Sequence, residues 1–128
     1  MSSDKSASAP DEVAISEMAV DFWKLLRISD RMLMSLPDER RTRFAAQTRF
    51  SAGRLEQHLG ALEISLATFE GKVFGPELPA IAINADDVEG DPEPIVESVV
   101  EPAVIWRGRV IQNAKVILKG SDADVSRD

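Results

Sequence analysis

His58 is the only histidine in the chain, and cysteine and tyrosine are absent. Those residue types decide most of the chemistry open to it. Without thiols there is no disulfide, no thiolate metal site and no thiol nucleophile. Without tyrosine one common proton donor is gone. A lone histidine works as a general base only beside a group that it activates or that orients it. Nothing near His58 in the sequence supplies such a group, and it reads as a partly packed helix residue.

Asp86, Asp87, Glu89, Asp91 and Glu93 offer the carboxylate oxygens that calcium takes. They lack the alternating ligands, central glycine and closing glutamate of an EF-hand, and Pro92 and Pro94 stiffen the stretch. Ala85 to Pro94 therefore reads as a solvated acidic loop that holds no metal. The glycines are scattered, and none opens a helix after a strand, so there is no phosphate cradle. These residues point away from an enzyme, imply no cofactor and leave binding as the kind of work expected.

Charge narrows the kind of partner. The net charge is −7 and the isoelectric point is near 4.7. Nucleic acid and anionic membranes are repelled on average, and so are acidic proteins. Basic or mixed protein surfaces fit better. Arg40, Arg41 and Arg43 form the one tight basic cluster. They read as a solvated helix face, with no aromatic interleaved for base stacking. No apolar run approaches the ~18 to 20 residues that span a bilayer, and the polar first ten residues do not form a secretory leader. The expectation is a cytoplasmic protein with a protein partner, no nucleic acid and no membrane.

The elements that must carry this surface follow from periodicity. Ile15, Met18, Phe22, Leu25, Leu26, Met32, Leu33 and Leu36 recur at helical spacing from Asp11 onward, giving about seven turns. Val20 and Trp23 lie off that stripe. Pro37 ends the helix, and Asp38-Glu39 opens a second, to about Leu62. Phe44, Thr48, Ser51, Leu55, Leu59 and Leu62 share its face, with small residues at Ser51, Ala52 and Gly53. From Ile64 the pattern turns to short β segments: Ile81–Ile83, Ile95–Val100, Ala103–Trp106 and Val110–Leu118, with Arg107-Gly108 as a hairpin turn. The order predicts an α+β fold, an αα-hairpin followed by a small all-β subdomain. The expected limits are a disordered tail over residues 1–10, the hairpin over 11–63, the β-domain over 64–120 and a second disordered tail over 121–128. The helices carry more apolar surface than one hairpin can bury. That predicts a homodimeric helical bundle through Phe22, Leu25, Met32, Leu55 and Leu59.

Three stretches carry a resemblance to a known family. Gly71-Lys72-Val73-Phe74-Gly75-Pro76-Glu77-Leu78 is similar to the pattern G-x-x-F-D-P-x-L of the GrpE nucleotide-exchange factors, the co-chaperones of DnaK-type chaperones. Gly108-Arg109-Val110-Ile111-Gln112-Asn113-Ala114-Lys115-Val116-Ile117-Leu118 resembles the family's closing G-R-V-L-R-P-A-x-V-x-V. Leu25, Leu26 and Asp30 fall near the register of its L-L-P-V-L-D-N-L helix. The chain departs from the family at Pro79, Ala80 and Ile81, where the family has H-E-A, and at Gln112 and Asn113.

The resemblance implies a dimeric helical bundle and a β-domain that docks on a partner, favouring its open, nucleotide-free conformer. It places Trp106, Arg107, Arg109 and Lys115 in the closing hairpin as partner-binding candidates, and it implies that Phe74 and Leu78 are buried. Trp106 reads equally well as a core residue, and the cations as solvent-facing strand positions. An acidic dimeric secretion chaperone that holds an effector segment is the other reading open to the sequence. Such chaperones usually return to a helix after their strands, whereas this chain closes on strands.

Overall fold

The computed structural model describes the backbone of residues 2–121 and the side chains of residues 11–121. Two helices come first, α1 over Ser2–Met34 and α2 over Asp38–Ala61, and they pack on each other as a hairpin. Six strands follow: β1 Ile64–Ala67, β2 Ala80–Ala82, β3 Ile95–Glu101, β4 Ala103–Trp106, β5 Arg109–Gln112 and β6 Ala114–Lys119. They form two three-stranded sheets, ordered β1-β4-β5 and β2-β6-β3. The fold is α+β, helices first and sheets after. Two compact units divide the chain: Met1–Ser65 with Trp106–Gly108, and Leu66–Ile105 with Arg109–Asp128.

Proline sets the turn between the helices. Pro37 cannot extend α1 and takes extended backbone, φ −58° and ψ 153°, at the N-cap of α2. The last turn of α1 closes through Ser35 and Leu36, whose amides donate to the Met32 and Leu33 carbonyls. Asp38 then pairs with Arg41 in the first turn of α2, where a negative charge suits the positive helix end. Helical backbone also covers the stretch expected as an N-terminal tail. Ser2–Ala9 holds no glycine, but its serines and Asp4 are weak helix formers, which is why the stretch reads as a tail in sequence. At Pro10 the helix forgoes one backbone donor. The tail expected beyond Ser121 lies outside the described residues.

In the β unit the core is aliphatic: Val96, Val99, Ala103, Val104, Ala114, Val116 and Leu118 are all buried. β6 is the central strand of its sheet and alternates strictly, with Ala114, Val116 and Leu118 inward and Lys115 and Lys119 outward. It pairs in parallel with β2, Ala80 opposite Ala114, and antiparallel with β3, Ile95 opposite Lys119. Val96 and Val99 lie three apart and both face inward. Register shifts between Val96 and Ser98, and again between Val99 and Glu101, make that possible. The expected single strand Val110–Leu118 is two strands instead. Asn113 interrupts it, and β5 and β6 join different sheets.

The acidic stretch is more ordered than a solvated loop. A 3-10 turn spans Ala85–Val88. Asn84 brackets Leu118, its Oδ1 accepting from the Leu118 amide at 2.7 Å and its Nδ2 donating to the Leu118 carbonyl at 2.9 Å. Asp91 accepts from the Ser121 amide and hydroxyl and from the Glu93 amide. Gly120 permits that approach, because a Cβ there would stand 2.9 Å from the Asp91 carboxylate. The Gly71–Phe74 stretch lies along β3, with Gly71 donating to Val96, Val96 to Lys72 and Phe74 to Pro94. Phe74 and Leu78 are half-buried rather than enclosed.

Candidate protein-binding surfaces

The hairpin leaves a groove between its helices. Phe22, Leu25, Leu55 and Leu59 meet there, joined by Met18 and Leu62, around a cavity of about 390 Å³ with Asp21 and His58 on its lining. Met32 lines a neighbouring recess of about 360 Å³ with Leu33, Leu36 and Phe44. Four of the five residues expected at a dimer contact therefore share one site, and Met32 belongs to the next.

Little of this apolar surface is enclosed. Leu25 is 63 % exposed, Met32 64 % and Leu55 45 %, and α2 buries no residue at all. Among the described side chains of α1, the buried ones are Ser16, Ala19 and Val20. Val20 lies beside the main apolar stripe, and Ser16 and Ala19 do not belong to it. Their signal is a set of small residues at spacings of three and four, which permits close approach but adds little hydrophobicity.

The expected partner-binding residues divide between the two units, Trp106 and Arg107 in the first and Arg109 and Lys115 in the second. Trp106 and Arg107 are tied to the end of α2. The Trp106 indole N–H donates to the Leu62 carbonyl at 3.1 Å, and the Arg107 amide donates to the Glu63 carbonyl at 2.8 Å. The Arg107 guanidinium lies 4.6 Å from the centre of the Trp106 ring and 3.8 Å from the Glu63 carboxylate. Arg107 and Gly108 have φ of 55° and 78°, the paired positive values that a two-residue turn needs to match strand twist. Glu63, at φ 63°, is also left-handed and ends the helix where glycine is more usual.

Arg109 is exposed on β5. Lys115 is exposed on β6, in the other sheet, with its Nζ 3.7 Å from Glu101. Gln112 also donates to Glu101, at 3.3 Å. Trp106 is half-buried at the end of β4, with its indole N–H bound to the end of α2.

Among the described residues no three histidine, cysteine or acidic side chains are arranged to hold a metal ion. His58 is exposed in the last turn of α2. No described helix is long and apolar enough to cross a membrane. No family model, no curated protein and no solved structure matches the chain.

Proposed function

We propose that this protein is a GrpE-like protein-binding cofactor, a homodimer through its helices that acts on a DnaK-type chaperone or a repurposed partner in the cytoplasm. One observation carries the dimer. Met18, Leu25 and Met32 lie seven residues apart on α1, with Asp21 and Ile28 between them. The four apolar members are 48 %, 63 %, 64 % and 49 % exposed respectively for Met18, Leu25, Met32 and Ile28. That is the seam of a coiled coil without its mate. An exposed apolar face of this kind marks an interaction site. A second copy matches it by symmetry.

The order of elements supports the rest: a helical pair, then short strands, closing on the β4–β5 hairpin and β6. Action by such a protein makes and breaks no bond. It binds one conformer of the partner more tightly than another and shifts the population by that difference, ~1.4 kcal/mol for each tenfold ratio. Arg109 and Lys115 are exposed on the strands of the closing run, where charge governs association rate and salt dependence.

The test is release of labelled ADP from the DnaK-type chaperone of the same cell. Acceleration that rises with protein concentration supports the proposal, and Arg109→Glu should weaken it. A chaperone whose release rate is unchanged at saturating protein overturns it and leaves the secretion-chaperone reading, tested by binding of an effector segment.

A further inference from the structure

The charges of this acidic protein are segregated. Between Lys72 and Arg107 every charged side chain is acidic, whereas α2 carries five arginines against Asp38, Glu39 and Glu56. Net charge alone therefore describes neither surface.

On α2 the charges are also ordered in space. Arg40, Arg43, Gln47, Phe50 and Arg54 follow one another at spacings of three and four, so they form one stripe. All five are exposed, and Phe50 is 68 % exposed, an aromatic ring in water amid arginines. Arg40, Arg43 and Arg54 make no ion pair among the described residues, in contrast to Arg41, which Asp38 holds. The stripe borders the apolar groove at Gln47. Phe44, Thr48, Ser51 and Leu55 line the groove recesses, while Phe50 does not.

We propose that this stripe is a docking surface for an acidic segment of a partner protein, one that brings an apolar side chain to cover Phe50. The composition fits: aromatic and arginine side chains are those that dominate protein interfaces, with a central anchor ringed by polar groups. From Arg40 to Arg54 the stripe is about 21 Å long, the length of some four turns of helix. Charge complementarity selects acidic side chains, since the three guanidinium groups make no ion pair among the described residues. Nucleic acid fits less well. A single exposed ring cannot stack successive bases, and the acidic β unit repels a phosphate backbone.

The probe is a labelled synthetic helical peptide of glutamate, leucine and alanine, titrated with the full chain and followed by fluorescence anisotropy. Two further probes accompany it, the same peptide with lysine for glutamate and a single-stranded RNA. The acidic peptide should bind, its affinity should fall with salt, and the lysine peptide should bind at least roughly tenfold more weakly. Arg43→Glu with Arg54→Glu should weaken the acidic peptide by roughly tenfold or more, and Phe50→Ala by roughly fivefold or more. Arg43→Lys with Arg54→Lys should retain most of the salt-sensitive binding. Circular dichroism and light scattering on each variant establish that fold and oligomeric state are kept. No binding of the acidic peptide overturns the proposal, as does equal binding by the charge-reversed chain. Tighter binding of RNA than of peptide assigns the stripe to nucleic acid instead. Loss of the dimer in Phe50→Ala assigns it to the contact between copies.

Discussion

At the scale of single residues, two side chains do jobs that their types alone do not reveal. Asn84 occupies both the N–H and the C=O of Leu118 and also donates to Asp87 at 3.2 Å. Asn84→Ala leaves two strand-end groups without partners, and we expect a loss of about 2 kcal/mol in chemical denaturation. Asn84→Asp keeps the acceptor for the Leu118 amide but sets a second carboxylate against Asp87 and the Leu118 carbonyl, so it should cost at least as much as Ala. Trp106 is the second case. Its indole N–H reaches the carbonyl of an exposed residue, which water can serve in its absence. Trp106→Phe keeps an aromatic ring, though a smaller one, and removes the donor, so the expected cost is about 0.5 to 1.5 kcal/mol. A loss several times larger would mean that the clasp at Glu63 and Arg107 opens as a whole.

At the scale of elements, legibility followed local chemistry. Pro37 and Asp38-Glu39 set the turn and the start of α2, and both are local signals. Arg107-Gly108 declared the β4–β5 turn, because glycine at a positive φ is what such a turn demands. The break at Asn113 was not legible. Val110 to Leu118 is apolar and β-forming throughout, and only sheet pairing decides that β5 and β6 part company. The inward face of β3 was hidden for a similar reason, since its register shifts change a two-residue period into a three-residue one. The candidate surfaces divide likewise. The groove was visible as an apolar stripe. The clasp at Trp106 depends on a contact across forty-four positions of sequence, for which the chain carries no local signal. Burial on β6 is the part of the core most fully stated by alternation, and it gives an element-scale prediction. Val116 is fully buried in the central strand. Val116→Ala removes two methyl-sized groups and should cost about 2 kcal/mol in denaturant unfolding. Lys115→Ala, its outward neighbour, should change stability by no more than about 0.5 kcal/mol.

At the scale of the whole molecule, the single chain leaves much of its helical apolar surface bare. α2 buries no residue, and Met18, Leu25, Ile28 and Met32 of α1 stand about half exposed or more. A helix gains most of its stability from packing an apolar face rather than from propensity. The same residues that a second copy would cover should therefore control both association and helix stability. Leu25→Glu with Met32→Glu places two charges on the seam of each copy, four in the symmetric pair, facing one another across it. Desolvating those carboxylates opposes association, while in the separated chain both positions remain in water. The expected outcome is a monomer by light scattering at micromolar concentration, with the β unit still folded and the helical signal melting earlier than in the parent. The parent should run as a dimer, and its melting temperature should rise with concentration, because only the folded state associates. Asp30→Lys, exposed on the same helix and on the side opposite the seam, controls for altered charge and should leave the dimer intact. A parent chain that is already monomeric, with a melting point independent of concentration, would show that the exposed seam is covered by something other than a second copy.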